Sequence, residues 1–134
     1  AKGMRLLPEC IFCNMSKDKV IAENDLALAF FDGYPVNEGH TLIIPKRHVE
    51  TYFDATQEEK NAISLLLVEV KERLDEEFNP DGYNIGVNVG AAGGQTIFHL
   101  HVHLIPRYAG DVRDPRGGVR KIKKSLVPYA EEGE

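Results

Sequence analysis

Gly94-Gln95-Thr96-Ile97-Phe98-His99-Leu100-His101-Val102-His103-Leu104-Ile105-Pro106 is the stretch on which the fold turns. From Phe98 to Leu104 apolar residues and imidazoles alternate strictly, a period-2 pattern that predicts a half-buried strand. Phe98, Leu100, Val102 and Leu104 would then face the core, leaving His99, His101 and His103 on the other face. Same-face neighbours on a strand are about 6.5 to 7 Å apart, close enough for one phosphate or metal to touch more than one ring. Three of the chain's five histidines sit in this run. A solvated strand face has no physical need of three imidazoles, so the pattern points to chemistry.

The surrounding chain fits one soluble domain, assigned to residues 4–127. Its 134 residues, 43% of them hydrophobic and 28% charged, can bury a core without disulfides. A formal charge of −5 argues against a general nucleic-acid binder, which carries a basic excess. A local site can still be positive. Between Arg107 and Lys124, four arginines and three lysines face only Asp111 and Asp114, a local charge of +5. Arg113, Arg116, Arg120 and Lys121 are therefore candidates for a basic flap over an anion site. No run approaches the roughly 20 apolar residues of a membrane span, and no signal peptide is evident. Two cysteines without a secretory signal fit a reducing, cytoplasmic setting. Ala1-Lys2-Gly3 ahead of Met4 reads as a remnant of expression, and 128–134 as a frayed tail.

The remaining stretches assemble around the histidine run. Lys19–Glu23 and Leu26–Asp32 read as short strands joined at Asn24-Asp25, followed by a turn-rich Gly33–Gly39 and a β-branched strand His40–Pro45. This is an antiparallel pattern that brings Asp32 and His40 to one loop mouth, where ligand groups gather. Thr56-Gln57-Glu58-Glu59 is a capping box. Ile63, Leu66, Leu67, Val70, Leu74 and Phe78 then recur at helical spacing until Asn79-Pro80-Asp81-Gly82 stops the helix after about six turns. Tyr83–Val89 alternates as another strand. The glycine-rich Gly90–Thr96 that follows lacks the lysine of a P-loop and opens no helix, but its small residues allow backbone amides close to a phosphate. Cys10-Ile11-Phe12-Cys13 alone is a weak signal: half a zinc site, a redox pair or two buried thiols. A zinc site needs two further ligands, for which histidines are the candidates.

Three imidazoles on one face permit two chemistries. They can ligate a hydrolytic zinc, although alternate residues of one strand do not easily converge on a single ion. Or the central histidine can attack phosphorus, a neutral imidazole being a good nucleophile near pH 7 when its second nitrogen keeps a proton through a hydrogen bond.

The run closely resembles the signature of the histidine triad family, His-x-His-x-His with apolar x, preceded by Gly94-Gln95-Thr96. Leu28–Asp32, Gly39–Lys46 and Asn88 match as well, so the resemblance covers about residues 10 to 107. It implies an α+β fold with an antiparallel sheet of about five strands and one long helix, the sheet continuing across a homodimer. It also implies attack on the α-phosphate of a nucleotide by His101, through a covalent nucleotidyl-histidine that water resolves to a nucleoside monophosphate. His40, His103 and Gln95 would support that step. The nucleotide would lie on Phe30 with Ile11 or Phe12, on Asp32 at the ribose, and on Asn88, Gln95, Thr96, His101 and His103 at the phosphate. Relatives with a cysteine pair imply a closed structural zinc on Cys10, Cys13, His48 and His99. His103, where transferase relatives have Gln, and the continuation Ile105–Asp111 resemble the branch that hydrolyses dinucleoside polyphosphates. Phosphoramidate hydrolysis and a nucleotide-sensing role are the alternatives.

Overall fold

The computed structural model describes residues 6–123. The sequence readings for 1–3, for Lys124 and for the 128–134 tail fall outside that range. Five strands, β1 (Val20–Glu23), β2 (Ala27–Phe31), β3 (Thr41–Pro45), β4 (Gly82–Val87) and β5 (Val102–Arg107), form one sheet in the order β1-β2-β3-β5-β4. Every neighbouring pair is antiparallel. The long helix α1 (Gln57–Phe78) stands between β3 and β4 in the chain. This is the α+β arrangement expected from the sequence.

Local chemistry accounts for the elements. The β1–β2 turn is held by Asn24, whose Oδ1 accepts from the amides of Leu26 and Ala27 at 3.1 and 2.9 Å, the usual way Asn stabilises a tight turn. The expected capping box starts α1: Thr56 Oγ1 accepts from Glu59 N at 3.0 Å, and Glu59 Oε1 accepts from Thr56 N at 2.8 Å. Asn79, with φ of 50° and ψ of 54°, ends the helix in the left-handed conformation that Asn tolerates. Ile63, Leu66, Val70 and Leu74 lie buried against Ala27, Ala29, Ile43, Leu100, Val102 and Leu104, each large side chain worth about 1.5–3 kcal/mol on burial. Leu67 and Phe78, read onto the same stripe, are only partly buried at its margin.

The sheet is covered on both faces. Leu42 and Ile44 of β3 point away from the helix into a second cluster with Phe12 and Phe30, against which Cys10, Met15, Leu28 and Ile97 pack. All five residues of β3 are buried. That explains why Leu42 to Pro45 run apolar rather than alternating, while the buried Thr41 hydroxyl donates to Gly39 O at 2.8 Å.

One expectation needs correction. The histidine run is not a strand from Phe98, because β5 begins at Val102. The β3–β5 register pairs Thr41 with Leu104 and Ile43 with Val102, so its continuation would set Leu100 opposite Pro45. Proline has no N–H to give to a ladder, and the Leu100 amide donates instead to Val49 O at 2.8 Å. Leu100, Val102 and Leu104 do face the helix core, but Phe98 is exposed, and His99 and His101 are buried rather than solvated.

Candidate active site

The histidines are told apart by what their ring nitrogens touch. His101 Nδ1 lies 2.8 Å from the His99 carbonyl oxygen. A carbonyl only accepts, so Nδ1 carries the proton and Nε2 keeps its lone pair. On His40 the Val36 amide donates to Nδ1 at 2.9 Å, which makes His40 the neutral Nε2–H tautomer. That N–H faces His103 Nδ1 at 3.0 Å, with Asp32 Oδ2 at 3.4 Å. His103 therefore accepts at Nδ1 and has its own proton on Nε2. Burial lowers the pKa of His40, which Asp32 opposes. Burial, then the neighbouring His101 and His40, lower His103 from 6.5 to about 4, so both rings are neutral near pH 7. Asp32, His40 and His103 converge closely enough to resemble a metal site. The Val36 amide excludes His40 from one, since its Nε2 lone pair is covered by a proton.

His101 and His103 line a cavity of about 410 Å³. Phe12 and Phe30, ring centroids 5.3 Å apart, form its aromatic end, and Phe12 also packs edge-on to His101 at 5.2 Å. Asp32, Asn88 and Thr96 line the same space, as does Ile11. Asp32 Oδ1 accepts from the Tyr34 amide at 2.9 Å, which fixes the carboxylate on the rim. Of the residues that the sequence assigns to a nucleotide, the structure gathers Phe12, Phe30, Asp32, Asn88, Thr96, His101 and His103 around one cavity. Met15, Lys19, Tyr34 and Ile97 join them without any sequence signal that singled them out.

Gln95 is the exception. Its side chain is buried, donates to Glu50 O at 2.6 Å and Ile97 O at 3.1 Å, and accepts from the Gly90 amide at 2.9 Å. It shapes the glycine loop from beneath and does not line the cavity, so direct phosphate contact is not what this geometry offers. Gly94, at φ of 98°, turns the loop back in a left-handed conformation that favours glycine, beside the Asn88 side chain.

Cys10, Cys13, His48 and His99 form a second centre, their ligand atoms all within 4.8 Å of one another. Sulfur–nitrogen separations of 3.4 Å (Cys10–His99), 3.3 Å (Cys13–His48) and 3.6 Å (Cys13–His99) match the roughly 3.6 Å edge of a tetrahedron with metal–ligand bonds of about 2.3 and 2.0 Å. His99 Nε2 donates to Pro45 O at 2.9 Å, which leaves Nδ1 bare towards the sulfurs, as an outer partner does for a metal-bound histidine. Burial holds the His99 pKa near 4, so the ring is neutral and able to ligate. The Leu7 amide donates to Cys13 Sγ and the Cys13 amide to Cys10 Sγ. Burial pushes the Cys13 thiol up, and Cys10 adds to the shift: two thiolates side by side need a cation. The donor set fits a four-coordinate metal with no open position.

Comparison with known proteins gives this geometry its context. The HIT domain family model matches residues 14–110. An uncharacterized 16.1 kDa HIT-like protein of Mycoplasma pneumoniae is 43% identical over 103 residues, 74% of this chain and 72% of that protein. Adenylylsulfatase HINT3 of Arabidopsis thaliana is 34% identical over 107 residues, 77% of this chain and 54% of that protein. The crystal structure of a Zn-bound histidine triad family protein from Mycobacterium smegmatis superposes with a TM-score of 0.71 at 34% identity, covering 80% of this chain and 84% of that one. By sequence, fold and the arrangement of its histidines, this chain belongs to the histidine triad (HIT) family.

Proposed function

We propose that the protein is a nucleotidyl hydrolase that attacks the α-phosphate of dinucleoside polyphosphates or related nucleotidyl conjugates. One observation carries the reading: a histidine with an unblocked Nε2 lines a cavity whose other end is an aromatic slot beside a fixed carboxylate. A base fits against Phe12 and Phe30, its ribose hydroxyls on Asp32, and its phosphate over His101. His101 Nε2 forms the bond to phosphorus while the bond from the α-phosphorus to the bridging oxygen breaks, its electron pair leaving on that oxygen with the departing phosphate or conjugate group. The His103 Nε2–H, held outward by His40, and Thr96 with the neighbouring loop amides are the donors for the phosphoryl oxygens. Water then cleaves the nucleotidyl-histidine and releases a nucleoside monophosphate. The name of the Arabidopsis relative, an adenylylsulfatase, supports hydrolysis of a nucleotidyl conjugate.

Cys10, Cys13, His48 and His99 would hold zinc. With four protein ligands it supplies a cross-link and no activated water. Two copies would pair along β4. The test of the reaction is a product-resolved screen of dinucleoside polyphosphates and nucleotidyl phosphoramidates. The wild type should release nucleoside monophosphate, and His101→Asn should lower kcat by at least ~10³-fold with nucleotide affinity within a few-fold. Turnover by His101→Asn near the wild-type rate would refute the mechanism.

A further inference from the structure

One lysine lines the cavity of His101, and neither the nucleophile nor the phosphate donors use it: Lys19. It closes the short 3-10 turn Lys17–Lys19 directly ahead of β1, its amide donating to Ser16 O at 3.0 Å. In the β1–β2 ladder Val20 stands opposite Phe30, so the chain delivers Lys19 to the Phe30 end of the cavity. The strand order sets β1 three steps from β5, about 14 Å at the usual strand spacing. A phosphate over His101 and the Lys19 side chain therefore stand on opposite sides of the nucleoside. Around that end Ile11, Met15, Phe31 and Leu42 are apolar, and Tyr34, beyond Asp32 on the ribose side, is 93% exposed. Among the described residues the Lys19 ammonium enters no salt bridge or hydrogen bond. Asp18, the carboxylate beside it in the chain, is held chiefly by the Ser16 hydroxyl.

We propose that Lys19 reads the base, selecting nucleotides whose purine carries an oxo group at C6, guanine or hypoxanthine, over adenine. The proposal rests on the nucleotide reading of this cavity and names the base its aromatic end prefers. With the ribose on Asp32 and the ring against Phe12 and Phe30, the purine edge remote from the sugar points towards β1. An ammonium offers three N–H donors and no acceptor. Guanine and hypoxanthine present two acceptors along that edge, N7 and O6, whereas adenine presents N7 beside an amino group that is itself a donor. The oxopurines therefore take the cation on two atoms. Adenine holds it by N7 alone and sets N–H against N–H. The apolar side chains around the ring keep water off one side of the contact and strengthen it. Lys19 is itself exposed, so its partners compete with solvent. The discrimination that follows is about ten-fold, near the low end for a two-point contact to a base edge.

The test is calorimetric titration of the full chain with the 5′-monophosphates of guanosine, inosine and adenosine. The three share phosphate and sugar, so ratios of Kd report the base alone. The guanosine and inosine compounds should bind about ten-fold tighter than the adenosine compound, and within about three-fold of each other, since they differ only in the 2-amino group. Lys19→Met keeps the aliphatic stem and removes the charge, and should bring the guanosine-to-adenosine ratio to within about two-fold of unity without a change in Tm. Lys19→Arg, which keeps a cation able to meet N7 and O6, should retain the preference. Equal affinity of the wild type for the guanosine and adenosine compounds would overturn the proposal, as would a preference for adenosine. So would a Lys19→Met protein that keeps the wild-type ratio, including one that loses affinity for all three alike, the mark of a charge that serves the phosphate instead. Each of these results leaves the nucleotide site standing. Failure of all three compounds to bind the wild type would bring down the nucleotide reading itself, and the base preference with it.

Discussion

Val36 N–H, pointing at His40 Nδ1, decides more of the site than any motif does. It fixes the tautomer of His40, and through the 3.0 Å contact with His103 it fixes that ring as well. The sequence shows that the three histidines of the run matter. It does not show that they differ, because each role depends on a backbone atom: His99 O for His101, Pro45 O for His99, and, through His40, Val36 N for His103. Those partners carry no side-chain signature. A pH dependence follows. His103 has a folded pKa of about 4 against an ordinary 6.5, so between those values the unfolded chain binds a proton that the folded one refuses. Stability is therefore fully present above about pH 6.5 and falls as the pH drops towards 4, by at most ~1.4 kcal/mol per pH unit for one such group. Denaturant midpoints measured from pH 7 to pH 4 should decline less steeply for His103→Gln than for the wild type. Parallel declines would show that His103 is not the group responsible.

At the level of elements, what is legible in the sequence is what local chemistry fixes. The Thr56–Glu59 box, the helical stripe and the Asn79-Pro80 stop stand in the structure as read. The start of β5 was not legible, since it depends on Pro45, 57 residues before Val102, standing where the β3–β5 register would otherwise continue to Leu100. The second use of Glu59 was hidden for the same reason. Its carboxylate caps α1 and also takes Arg47 at two points, both at 2.8 Å, which pins the segment that carries His48 to the helix. The two sheet edges also differ. On β1 the register breaks between Val20 and Ala22, and the Arg73 guanidinium donates to Ile21 O, both of which discourage edge pairing. On β4 six residues pair with β5 without a break, and Ile85 is 55% exposed. Pairing of two copies should use β4. Sedimentation equilibrium at micromolar concentration should give about twice the 15.0 kDa chain mass, and Ile85→Lys should shift it towards one. A monomeric wild type would remove the continued sheet.

Across the whole molecule the Cys/His cluster joins segments that lie far apart in the chain: Cys10 and Cys13 near the start, His48 after β3, and His99 just ahead of β5. A lone C-x-x-C could not announce this, because the other two ligands come within reach only once the sheet has formed. The cluster borders the cavity lined by His101 through two links. Phe12, between the two cysteines, forms part of the aromatic end of the cavity and packs on His101. His99, itself in the cluster, presents its carbonyl to His101 Nδ1. Metal loss should therefore act on stability and on the nucleotide site together. Elemental analysis should find about one zinc per chain, and Cys13→Ser should lose it. For a chain of this size each kcal/mol lost lowers Tm by roughly 3–6 °C, and a structural metal contributes several, so Tm should drop by 10 °C or more. Nucleoside monophosphate affinity, read by calorimetry below the new Tm, should weaken at least ~10-fold because the Phe12 wall is released. A metal-free protein with wild-type Tm would exclude zinc from this cluster. Loss of Tm with unchanged nucleotide affinity would mean that the cluster braces the fold without positioning the cavity wall.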